Sequence, residues 1–333
     1  MKSLKKVRSM LAHALFDSSH ETQGARTGSR CGRPAIERLE SRVYQSADPV
    51  TYHGGHLLSN VSVQALYYGN GWATPHEEGV AAYLNGFLGS VTNSPYMDQL
   101  QEYSEPGMVI RRGTFIGGQL DLSAPVTQPA TPSNPIATVD RTTIESELNK
   151  QIITPHLLLA AANPNRLYIV YVEPGVKVTY TDSNGILQSS ASGGFAGFHW
   201  HFVDSQGDTV YYAVVPRTVD PTQDSMTITS SHELAEAITD PDNANGWFDG
   251  ELAEIGDKAE GGYGNIDGYA VQDEWSNRRN EPFVLTVPNS RSFSIDGGGN
   301  IKLFDTDNML WTRNRDGYWL GASQGEDDHI TID

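Results

Sequence analysis

Apolar and polar positions along the chain fall into short runs of strand character separated by stretches of helical spacing. The clearest run is Leu167-Tyr168-Ile169-Val170-Tyr171-Val172, nearly all apolar, which predicts a central strand covered on both faces. Val61 to Trp72 reads as a strand ending in a Gly turn, and Met108 to Ile116 as a second strand. Gly197-Phe198-His199-Trp200-His201-Phe202 and Thr209 to Pro216 read as a paired strand unit. Between them, Val80, Tyr83, Leu84, Phe87 and Leu88, with Leu100 and Tyr103 further on, predict a helix over 77–103. Thr142 or Thr143 is placed to cap a helix running to Ile153, after a Pro/Thr/Ser-rich loop at 122–138. The alternation predicts an α+β fold, a mixed sheet with helices packed on it. Residues 269–293 read as strand, loop, strand. Turn signals at 296–300 and 315–317 predict C-terminal β-hairpins.

Composition changes the picture in two places. The 333 residues carry a formal charge of -18, but residues 1–45 hold nine Lys/Arg against four Asp/Glu, so +5 there leaves -23 on the rest. That division marks a basic N-terminal segment (1–45), a main domain (46–287) and a small β-rich tail (288–333). So acidic a body disfavours nucleic acid and anionic membrane surfaces and suits cation binding. Cys31 is the single cysteine, which excludes an intramolecular disulfide and argues against thiolate chemistry. No apolar run is long enough to span a membrane. The apolar stretch near the N-terminus is short and interrupted by His13, a poor signal peptide. The segment Arg33 to Val43 reads either as a short solvated helix or as resembling an export-associated element found near the start of many secreted bacterial proteins.

The candidate chemistry lies in Ser230-Ser231-His232-Glu233-Leu234-Ala235-Glu236-Ala237-Ile238-Thr239-Asp240-Pro241-Asp242. Ser230 and Glu233 carry a capping-box spacing, and Pro241 ends the helix, so about two turns are expected. His232, Glu233, Glu236, Thr239 and Asp240 share one arc of that helix. His232 and Glu236, one turn apart, reach a common point, which is the geometry of a helical metal site with Glu233 placed as a base. The usual zinc motif has a second histidine where this chain has Glu236, and a carboxylate there also suits calcium or manganese. Asp242, ten residues after His232, and Glu254 are alternative third ligands, and Asp257 could orient His232. His199 or His201 could be a ligand or polarise an oxyanion, although a histidine beside Trp and Phe is more often a core residue.

Several of these pieces together resemble the phosphate-induced/EXORDIUM-like family of secreted proteins, in particular its bacterial and fungal branch. They are Tyr52-His53-Gly54-Gly55, Gly197-Phe198-His199, Tyr212 to Pro216, Ser231 to Pro241, Gly246-Trp247-Phe248-Asp249 and Glu254-Ile255-Gly256-Asp257-Lys258. The resemblance covers roughly residues 50–280. It implies a zincin-like metal-binding domain, secretion, and a peptide or cell-wall polymer as substrate. Ala259 stands where relatives tend to have a cysteine. Three readings stay open: a zinc metallopeptidase, a non-catalytic module holding calcium on Asp240, Asp242, Asn243, Asp249 and Glu254, and a polysaccharide-binding module using Trp247, Trp275 and Trp311. No phosphate-binding Gly-rich loop and no Gly-x-Ser-x-Gly elbow occur, and the adjacent Ser231 and His232 do not make a triad.

Overall fold

The computed structural model describes residues 48–285 apart from 133–134, 155–156, 183, 191–194, 218–222 and 244, and beyond them the backbone of four short strands between 294 and 323. The basic N-terminal segment and residues 286–293 lie outside the described residues. The centre is a sheet of β1 (Ser62–Tyr68), β2 (Thr114–Asp121), β3 (Arg166–Val172), β4 (Phe198–Val203) and β5 (Thr209–Pro216). Its spatial order is β2-β1-β3-β5-β4. Four strands run parallel, and β4 returns antiparallel at the edge beside β5.

Strand alternation divides the core in two. Leu167, Ile169 and Tyr171 of β3 enter one cluster with Val63, Ala65, Ala213 and Val215, while Tyr168, Val170 and Val172 enter the other. Each large apolar side chain so buried stabilises the fold by about 1.5–3 kcal/mol. The first cluster is covered by α1 (Pro75–Val91) and α3 (Gln223–Thr239). The second is covered by α2 (Arg141–Ile153), which contributes Ile144, Leu148 and Ile152, and by a small sheet of 137–140, 176–181 and 187–189. The C-terminal strands form a separate antiparallel four-stranded sheet, as the hairpin signals predicted.

The elements depart from the sequence expectations in ways with physical causes. The helix expected over 77–103 is broken: α1 stops at Val91, and a short helix begins at Pro95 with Ser94 as its cap, because proline starts helices more readily than it continues them. The second strand sits at Thr114–Asp121 rather than 108–116. There Gly113 gives its N–H to Thr92 O, and Thr114 bonds Val61 O to enter the sheet. Strands 176–181 and 187–189 were not anticipated.

Asp140, not Thr142 or Thr143, caps α2. Its carboxylate accepts from Thr143 N–H and the Thr142 hydroxyl, both at 2.8 Å. Burial pushes this carboxyl up, but the donations from Thr143, Thr142 and Thr127 outweigh it and hold it below its ordinary value. A depressed carboxyl stabilises fully above its unfolded value of 3.8 and loses that contribution as pH falls through the folded value. Asp140→Ala should therefore cost about 1 kcal/mol at pH 7. Urea midpoints of the two proteins should converge as pH falls below that range. A gap that stays constant with pH would contradict the cap.

Candidate metal centre

The helix bearing the His-Glu motif is twice the expected length. α3 runs from Gln223, seven residues before the supposed cap. The Ser230 hydroxyl donates to Met226 O at 2.6 Å and Ser231 to Ile228 O at 2.8 Å, so these serines bond backward within the helix instead of capping it. The helix ends where expected: Thr239 is its last residue, before Asp240-Pro241. Leu234, Ala235, Ala237 and Ile238 pack in the first core cluster. The opposite arc is not solvated. His232, Glu233 and Glu236 are 4%, 2% and 4% exposed, and Asp240 is fully buried. A buried acidic arc demands partners, since an unpaired buried charge is costly.

The partners come from three directions. From the sheet, strand alternation turns His199 and His201 of β4 toward α3, while Phe198, Trp200 and Phe202 pack in the other cluster. His199 Nδ1 lies 3.4 Å from Glu233 Oε2 and 3.5 Å from Glu236 Oε2. Within α3, His232 Nε2 is 3.2 Å from Glu236 Oε2. From the loop beyond, Asp257 N–H donates to Glu236 Oε1 at 3.2 Å, and Glu254 Oε1 stands 3.5 Å from His199 Nε2. Two triads of donor atoms result, each with all its atoms within 4.8 Å of one another: His199, Glu233 and Glu236, and His232, Glu236 and Asp257. Glu236 belongs to both.

Outer contacts set the orientation of each ring. His199 Nε2 lies 3.1 Å from Asp240 O and 2.8 Å from Asn243 Nδ2. Asn243 reaches it from a backbone at φ 57°, a conformation asparagine tolerates better than most residues. His232 Nδ1 meets Gln272 Nε2 at 2.9 Å, and the same amide donates to Gly256 O at 2.8 Å. Gln272 thus takes the orienting place that the spacing suggested for Asp257. Glycine is required where backbone crowds the cluster. A Cβ on Gly256 would lie 2.5 Å from His232 Nδ1, and one on Gly197 would lie 2.7 Å from Glu233 Oε1.

The titration directions follow from this crowding. Burial raises the Glu233 carboxyl, and the neighbouring imidazoles only partly offset it. Burial also works to raise Glu236, but His232 and His199 outweigh it and hold that carboxyl well below the ordinary range. Burial disfavours charge on both rings. For His232 it is overcome chiefly by Glu236, and for His199 by Glu254, Glu233 and Glu236, so both rings titrate well above the ordinary histidine.

The other sequence candidates lie apart from the two triads. Asp242 is half-buried, and its charge acts on Tyr211, whose hydroxyl burial and Asp242 push up to about 12. Asp240 Oδ1 accepts from Gly246 N–H at 2.8 Å, and Asp249 accepts from Glu251 and Ala253 N–H and pairs with Lys258 at 2.9 Å. Asp240 and Asp249 of the calcium reading thus serve turns and an ion pair. Trp247 and Trp275 are 5% and 2% exposed, so neither offers a face to a sugar, and the side chain of Trp311 lies outside the described residues. Sequence reasoning missed Gln272 and the Asp240 carbonyl, and it named Asn243 only as part of the calcium loop, not as a partner of His199. Gly256, between Ile255 and Asp257, was the one local signal of a close approach. Among the described residues no helix is long and apolar enough to cross a membrane. No family model matches the chain, and neither the curated proteins nor the solved structures compared with it give a match.

Proposed function

We propose that the protein is a metal-dependent hydrolase, a zinc metallopeptidase-like enzyme acting outside the cytoplasm on a peptide or cell-wall polymer. The observation that carries this reading is the triad of buried His232 and Glu236 with half-buried Asp257, and the Glu233 carboxyl beside it. Glu233 Oε2 is buried without a hydrogen-bond partner. The donor set fits a divalent cation. Atoms bound to one tetrahedral zinc at about 2.0–2.1 Å stand about 3.3–3.4 Å apart, and the His232–Glu236 spacing is 3.2 Å. The mixed sheet, with the H-E-x-x-E helix packed on it, agrees with the zincin-like architecture that the family resemblance implies.

A zinc ion held there would polarise a substrate carbonyl and make a water molecule more acidic. The remaining work belongs to the chain. Glu233, a stronger base because burial raises its carboxyl, takes the proton of the attacking water. His199 faces Glu233 from the edge strand, fixing that carboxylate and standing close to where negative charge develops on the substrate oxygen. Gln272 sets the His232 ring: its amide Nε2 lies 2.9 Å from Nδ1 and donates to Gly256 O, which leaves the ring's Nε2 turned toward Glu236. A cysteine-poor, acidic body and the resemblance to secreted proteins support the location.

Chelation tests the proposal. Casein hydrolysis should disappear after treatment with 1,10-phenanthroline and return with zinc, not with calcium. Hydrolysis that survives metal removal, or that calcium alone restores, would overturn the zinc reading.

A further inference from the structure

The triad of His199, Glu233 and Glu236 has no role as a ligand set in the reading above, yet it has the properties of one. Its residues are 3%, 2% and 4% exposed. His199 Nε2 faces the carbonyl of Asp240 at 3.1 Å, an acceptor that can never donate, and this turns Nδ1 toward the two carboxylates. A histidine anchored through one nitrogen on a backbone carbonyl is oriented as metal-binding histidines are. The Asn243 amide lies against the same nitrogen, its Nδ2 at 2.8 Å, and helps to fix the plane of the ring. Nδ1 then faces Glu233 Oε2 and Glu236 Oε2 at 3.4 and 3.5 Å. Those distances exceed the roughly 2.7–2.9 Å of a charge-assisted hydrogen bond and match the spacing of atoms around one cation.

We propose that His199 Nδ1, Glu233 and Glu236 form a second divalent-cation site, and that filling it silences hydrolysis by occupying the base. The silencing half rests on Glu233 being the base, as argued above. The second ion binds more weakly than the first because the two share Glu236, and cations held on one carboxylate repel each other. The protein would be active at low metal and inhibited in excess, with no separate regulatory domain.

The test is equilibrium dialysis of metal-depleted full-length protein against rising zinc, and separately manganese, with bound metal and casein hydrolysis measured on the same samples. Uptake should proceed in two steps to about two ions per chain. Activity should rise with the first step and fall about tenfold or more with the second. His199→Gln and, independently, Glu233→Gln should each bind only the first ion. Wild type that saturates at one ion while hydrolysing casein removes this inference and leaves the hydrolase reading standing. Binding of no ion removes both. Two ions with undiminished activity, or a second ion retained by both variants, overturns the inhibitory site.

Discussion

Glu233→Gln should abolish casein hydrolysis while leaving the tightly held metal ion in place. The substitution keeps the side chain's size and its place against Gly197, where there is no room to move. It removes only the capacity to accept a proton. General-base catalysis contributes about 10²–10⁴-fold, so the rate should fall by that factor. The retained ion distinguishes this outcome from a damaged site, because His232, Glu236 and Asp257 are untouched. Loss of metal with activity would make Glu233 a ligand rather than a base. Unchanged activity would remove it from the chemistry altogether.

The largest effect on stability is expected at Arg217, just beyond β5. Its guanidinium donates to Glu77 of α1 through Nε at 2.9 Å and Nη2 at 3.3 Å, and Nη1 reaches Met226 Sδ of α3 at 3.7 Å. Its backbone N–H bonds Val172 O of β3. One side chain therefore ties the central sheet to the first turns of both helices on that face. The side chains of the pair are 2% and 10% exposed. Arg217→Met leaves the buried Glu77 carboxylate with only the exposed His76 ring, 3.7 Å away, in place of the guanidinium, which should cost about 3 kcal/mol. Replacing both residues, Arg217→Met with Glu77→Met, removes the stranded charge and should recover most of the loss. Urea unfolding of the three proteins measures it. A double variant as unstable as Arg217→Met would show that the fold needs the ion pair itself.

Much of the framework was legible wherever one local rule dominates. Leu167–Val172 reads as a central strand because it is apolar on both faces, and it is the middle of the sheet. The β4–β5 hairpin shows in its alternation and its Asp-Ser-Gln-Gly-Asp turn. The end of α3 shows in Asp240-Pro241. Illegible features were those where burial overrode propensity. Thr227, Ile228, Thr229, Ser230 and Ser231 are poor helix formers, yet they are helical because α3 is packed between the sheet and the strand at 269–272. The same burial encloses the acidic arc.

At the site, His232, Glu233 and Glu236 were visible because helical spacing alone brings them together. Asp257 was visible as an acid shortly downstream, though its side of the cluster was not. His199 could be named as a candidate but not weighed, since only strand alternation in three dimensions decides which face a histidine takes. Gln272 and Asn243 carry no motif, and they matter solely because the fold delivers an amide to each ring.

The central claim is that Glu236 is the hub of a bound cation, and metal analysis of the purified protein tests it most directly. After exhaustive dialysis, wild type should retain about one transition-metal ion per chain, and Glu236→Ala should retain none while remaining folded. A wild type that carries no transition metal, or a Glu236→Ala variant that keeps the same ion, would contradict the account.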